Sequence, residues 1–132
     1  MGLIVADTSA LLAVLLREKD RPAYLDCLSA AEHVMLSAAN YTETGVVYAM
    51  RTSPKHRREI DEFIRDAEIE VVPVSAALAS SALSAYLRYG KGLHPAGLNY
   101  GDCFAYALAK AYDAPLLFKG DDFMKTDIAA AL

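Results

Sequence analysis

Four short, mainly apolar runs, at residues 3–6, 33–38, 70–74 and 115–119, alternate along the chain with longer stretches of helical periodicity. A strand that is apolar on both faces must be covered on both. Strands that alternate with helices pair in parallel, because each crossover consumes about a helix's length of chain. The pattern therefore predicts an α/β fold: a three-layer α/β/α sandwich around a parallel sheet of four to five strands, the fifth being short and near the C-terminus. Pro73 has no N–H for a ladder, so it belongs at a strand end or a sheet edge.

The helical stretches carry recognisable punctuation. Thr8 or Ser9 can cap a helix starting near Ala10, and "ALLAVLLR" is apolar on nearly every side, as in a buried helix. A second helix is expected over about 40–50. Ser53 followed by Pro54 opens a third, whose Ile60, Phe63, Ile64 and Ala67 make one stripe. Ser75 caps a fourth, with Leu78, Ala82, Ala85, Tyr86 and Tyr89 facing inward. After "GKGLHPAGLN", a loop, a last helix begins near Tyr100 with Phe104, Ala107, Leu108 and Ala111 as its core stripe.

At 132 residues the chain fits one domain, 1–132, with room for a sizeable core. Its net charge of −4 supplies no general attraction for nucleic acid, so a polyanion must be held by a local basic patch or by bound cations. Cys27 and Cys103 are too few and too far apart for a disulfide framework. The start has no basic leader, and no apolar run approaches the ~18 residues of a membrane span. A cytoplasmic protein with no membrane partner is expected.

Against this pattern the acids stand out. Open α/β sheets bind ligands beyond the carboxyl ends of their strands. Asp7 ends the first strand, Glu43 lies in the first turn of the helix that follows the second, and Asp121 and Asp122 follow the last. Asp102 lies in the first turn of the helix that feeds the last strand. That helix begins at the same edge if it runs antiparallel to the sheet. Each acid also has a plain structural use. Asp7 can cap the first helix, Glu43 can complete a capping box with Asn40, Asp102 suits a helix dipole, and Asp121 and Asp122 suit a turn after Gly120. Together they would repel one another in one cleft, unless protons or a hard divalent cation relieve them. Mg²⁺ or Mn²⁺ prefers such oxygen ligands. An ion held there can activate water against a phosphodiester.

"VADTSAL", "NYTE", "LNYGDCFAYALAK" and "LLFKGDDFMKTDI" resemble the motifs of the PIN-domain family, and more narrowly the VapC toxins of VapBC toxin–antitoxin pairs. The resemblance spans the chain. It implies a Mg²⁺- or Mn²⁺-dependent endoribonuclease with Asp7, Glu43, Asp102 and Asp122 as catalytic and metal-binding acids. Asp121 is the other candidate for the last of these, and Ser9 matches a supporting hydroxyl. It also implies a homodimer and a cognate VapB-type antitoxin. Leu93 stands where relatives often carry Arg or Lys, a departure that touches RNA contact rather than the metal site.

Basic residues fall in "RTSPKHRRE" (Arg51, Lys55, His56, Arg57, Arg58) and at Lys91, His94, Lys119 and Lys125. Any could meet phosphate, and any could equally be a solvated surface charge. The eight tyrosines are read as core or dimer contacts, and Gly45 as a point of close helix packing. Two other enzyme or binding classes fit less well. A dehalogenase-type phosphatase needs an Asp where Ser9 stands. A receiver-like α/β binding module needs a phosphoacceptor after the middle strand, and "VVPVSAA" has none. A catalytically inert relative that only binds a partner is the remaining alternative.

Overall fold

The computed structural model describes residues 2–132. Four strands, β1 (Leu3–Ala6), β2 (His33–Ser37), β3 (Ile69–Val72) and β4 (Leu116–Leu117), form one sheet in the order β3-β2-β1-β4. All three pairings are parallel, in the register Leu3↔His33, Val34↔Ile69 and Val5↔Leu116. The expected fifth strand is reduced to one bridge, Leu116↔Ala130, on the outer side of β4.

Side chains alternate across the sheet, and each face has its own core. Val5, Met35, Val72 and Leu116 pack against α5 (Ala76–Tyr89) and α6 (Tyr100–Ala111). Ile4, Ala6, Val34, Leu36 and Leu117 pack against α1 (Thr8–Leu15) and α2 (Arg21–Ala30), with Phe63 and Ile64 of α4 (Arg57–Asp66) alongside. α3 (Ala38–Arg51) contacts both α1 and α6. This is the three-layer sandwich the alternating pattern predicts.

The structure moves several local expectations. The first helix starts at Thr8, capped by Asp7 rather than by Thr8 or Ser9. α3 starts at Ala38 with Ser37 as its cap, so Asn40 lies inside the helix and no capping box joins it to Glu43. Pro54 opens only a 3-10 turn, Pro54–His56, ahead of α4. β3 ends at Val72, leaving Pro73 just past an edge strand. β4 is shorter than expected because Pro115 offers no N–H, although its carbonyl still accepts from Val5 N at 3.0 Å. Ala111 is exposed, whereas Cys103, Ala105, Tyr106 and Ala109 of α6 are buried. A Cβ on Gly45 would meet Ile60 Cδ1 at 3.6 Å, an ordinary contact, so close packing does not require glycine there.

Topology selects one crevice. From β1 the chain moves outward to β2 and β3, then crosses back to lay β4 on the opposite side of β1. The carboxyl end of β1 is thus the switch point at which open α/β sheets leave a cleft.

Candidate active site

Asp7 occupies that switch point. Its backbone N–H donates to Leu117 O at 2.9 Å, continuing the ladder to β4. Its side chain turns into the start of α1, where Oδ2 accepts from Ser9 N at 3.0 Å and Ser9 Oγ at 2.6 Å. The same Ser9 hydroxyl accepts from Lys119 N at 2.9 Å, so one residue ties Asp7 to the chain leaving β4. The other oxygen of Asp7, Oδ1, is buried without a hydrogen-bond partner. A buried carboxylate with an unused oxygen is costly. Burial is the largest influence on Asp7 and Glu43's charge adds to it, while the Ser9 bonds oppose them; the net effect raises its pKa from 3.8 to about 6.

Asp102 reaches the same region from α6. Asn99 caps the helix: its side chain accepts from Asp102 N at 2.9 Å, and Asp102 Oδ2 accepts from Asn99 N at 3.0 Å. This reciprocal box fixes the Asp102 side chain while leaving its second oxygen outside the cap. Burial, then the charges of Asp7, Asp122 and Glu43, push its pKa up to about 7, against the opposing Asn99 bond. Three acids from distant parts of the chain therefore act electrostatically on the fourth.

Glu43 projects from the second turn of α3 rather than the first. It lies so close to α6 that a Cβ on Gly101 would fall 2.3 Å from its Oε2. Asn40 Nδ2 holds it from within α3, at 3.2 Å from Oε1. Asp122 opens the 3-10 turn Asp122–Lys125 beyond β4 and is exposed. Gly120, at φ 105°, makes the preceding turn in a backbone region that side chains avoid. Asp121 precedes the turn, and its side chain makes no capping hydrogen bond. Asp122, not Asp121, is the neighbour that acts on Asp102.

Asn40 and Gly101 contact Glu43 without any distinct signal in the sequence. Asn40 was visible only as a possible cap, and Gly101 only as a letter in "NYGDC"; their roles depend on α3 meeting α6.

The candidate phosphate contacts fare differently. Lys119 Nζ is paired with Glu18 at 2.8 Å and Asp20 at 3.0 Å. Arg57 leans towards Asp61 and the Tyr41 hydroxyl. His94 shapes its own loop, with Nδ1 accepting from Ala96 N and its ring edge-on to Tyr89. His56 packs beside Tyr48. Cys27 and Cys103 are buried free thiols, and Cys103 packs in the core behind Asp102.

Among the described residues no three Asp, Glu, His or Cys side chains close around a common point as they stand. Mutually repelling carboxylates without a counter-charge have reason to hold back. Their donor chemistry nevertheless suits a hard divalent cation: every candidate ligand is a carboxylate oxygen, and Asp7 Oδ1 is buried with nothing to bind.

Comparison with known proteins bears on the fold and the family. A PIN domain family model matches residues 4–129. Ribonuclease VapC30 of Mycobacterium tuberculosis is 47% identical over 126 residues, covering 96% of each chain. The crystal structure of M. tuberculosis VapC20, described as a sarcin–ricin loop cleaving toxin, superposes with a TM-score of 0.79 at 16% identity, covering 96% of each chain. VapBC2 of Rickettsia felis, solved bound to a DNA fragment from its promoter, gives a TM-score of 0.71 at 16% identity over 97% of this chain and 96% of that one. Among the described residues no helix is long and apolar enough to cross a membrane. With its sheet order, its acids at the switch point and a match along nearly all its length, the chain belongs to the PIN-domain family, among the VapC ribonucleases.

Proposed function

We propose that this ribonuclease is a Mg²⁺- or Mn²⁺-dependent endoribonuclease that hydrolyses RNA phosphodiesters at the cluster of Asp7, Glu43, Asp102 and Asp122. The observation that carries the reading is geometric: Asp7 Oδ1 is buried with no hydrogen-bond partner at the carboxyl end of β1, and Asp102 and Glu43 are brought to the same edge by the start of α6 and by α3. Asp7 and Asp102 would provide the most buried oxygens to the cation, with Glu43 and Asp122 completing the set. When bound, the cation would offset the clustered charge and lower the pKa of a water for attack on phosphorus. Ser9 keeps Asp7 turned into the cleft through its 2.6 Å bond. The capping box keeps Asp102 there. Glu43 and Asp122 flank them, placed to orient a water or take up its proton.

The chain is read as the toxin of a VapBC pair in the cytoplasm, with a VapB-type antitoxin as its partner. The solved toxin–antitoxin complexes of the same fold from Klebsiella pneumoniae and Rickettsia felis support that reading. A homodimer is supported by the outer face of α5, where Leu83 and Leu87, one turn apart, are 61% and 64% exposed. Leu83 also lines a groove of about 520 Å³ with Tyr86, Tyr100 and Phe104. Contiguous apolar surface of this kind is what a second copy would cover.

The test is RNA cleavage by antitoxin-free protein. Cutting should require Mg²⁺ or Mn²⁺ and stop with chelator, and Asp7→Asn and Asp102→Asn should abolish it while the chain stays folded. Equal cutting by either variant would place the chemistry elsewhere.

A further inference from the structure

Asn40 has no part in the proposed ligand set, yet its side chain is fully buried. Its Nδ2 donates to Glu43 Oε1 at 3.2 Å and to the carbonyl of Gly101 at 3.0 Å, spanning 61 positions of sequence. Both partners can only accept, which determines which way the amide faces. Its backbone carbonyl accepts from Thr44 Oγ1 at 2.7 Å and Thr8 Oγ1 at 3.3 Å. The residue is thereby anchored to α1, α3 and α6 behind the acids. Glu43 meanwhile rests on the hollow left by the missing side chain of Gly101, where a Cβ would fall within 2.6 Å of both its oxygens.

We propose that Asn40 is a positioning residue for Glu43: its amide holds the Glu43 carboxylate in the Gly101 hollow, beside Asp102, so that α3 and α6 deliver their acids as a unit. The consequence for cleavage rests on the nuclease reading above; the tie between Asn40 and Glu43 does not. An amide suits this position for a chemical reason. A lysine or arginine would neutralise Glu43 and compete with a cation. An aspartate would repel Glu43 and oppose the Gly101 carbonyl. An apolar residue would leave both acceptors unheld.

Two readouts on the full chain test this. In metal-free protein, thermal unfolding of Asn40→Ala, Glu43→Ala and the double variant forms a cycle. A tie makes the effects non-additive, with Asn40→Ala shifting the melting temperature less when Glu43 is already absent; additive shifts overturn the proposal. The second readout is Mn²⁺ affinity by calorimetric titration. Loss of a residue that orients a metal ligand typically weakens binding by 10–100-fold. That loss is expected for Asn40→Ala in the parent and should fall to under about 2-fold in a Glu43→Ala background. An equal loss in both backgrounds would make Asn40 a general structural residue and overturn the proposal. The isosteric Asn40→Asp keeps the shape but replaces the donors with a charge that repels Glu43, so it should weaken Mn²⁺ binding at least as much as Asn40→Ala; parent-like Mn²⁺ binding would overturn the proposal. A parent that binds no Mn²⁺ would sink the metal nuclease reading, while the unfolding cycle would still decide the tie.

Discussion

Asp7 is a residue at which the proposed chemistry and stability oppose each other. Its folded pKa, about 6, lies above the ordinary 3.8, so the folded state holds its proton more tightly than the unfolded chain does. Stability therefore falls as pH rises from about 4 through the folded pKa, and is lowest once Asp7 is ionised in both states. A shift of roughly two units corresponds to about 3 kcal/mol. Asp7→Asn should relieve that cost while keeping an oxygen to accept from Ser9. In metal-free protein the melting temperature of the variant should exceed the parent's by roughly 10 °C at pH 8. The difference should shrink towards pH 4.5, as differential scanning calorimetry can follow; no gap at pH 8 would contradict the burial argument. Gly101 makes a second prediction at this scale. Gly101→Ala would drive a methyl into the Glu43 carboxylate. Because that carboxylate ends a flexible side chain, it can swing aside. RNA cleavage should fall by about 10–100-fold with little change in far-UV circular dichroism.

At the scale of elements, the N-terminus of α6 holds the second deep acid. The Asn99–Asp102 box joins two backbone donors to two side chains. Asn99→Ala should cost about 1 kcal/mol by loss of the cap. It should also slow cleavage, because Asp102 loses the restraint on its approach to Asp7; unchanged turnover in a destabilised variant would show that the cap serves the helix alone. This box was only half legible in the sequence. "NYGD" has the spacing of Asn and Asp, but Asn40 and Glu43 have the same spacing, and there Ser37 takes the cap because the helix starts three residues earlier. Local signals rank badly when two caps compete. α2 is hard to read from the sequence because it buries only Tyr24, Cys27 and Leu28, too short a stripe to stand out, although Pro22 in its first turn is a start signal. The strands, the buried α1 and the apolar faces of α4 and α5 were legible because burial dictates their composition. The meeting of Asn40, Glu43 and Gly101 was not, since it depends on α3 packing against α6 across 61 residues.

For the whole molecule, the fold explains why acids so far apart in sequence act together. A parallel sheet whose chain reverses its order at β1 brings the ends of β1 and β4 and the starts of α3 and α6 to one edge. The proposed homodimer would use a different surface. Leu83 and Leu87 on α5 give the molecule an apolar face remote in kind from the acidic cleft. A charge there, as in Leu87→Glu, should convert a dimer to a monomer by light scattering and leave the circular dichroism spectrum unchanged; a parent that is already monomeric at high concentration would contradict the dimer reading.

The central claim is that Asp7, Glu43, Asp102 and Asp122 hold a divalent ion in common, and diffraction from crystals grown with Mn²⁺ tests it most directly. Anomalous scattering at the manganese edge should reveal a peak in the cleft that Asp7, Glu43, Asp102 and Asp122 line. A crystal saturated with Mn²⁺ that showed no peak there, or showed the ion elsewhere with the four carboxylates still apart, would contradict the account.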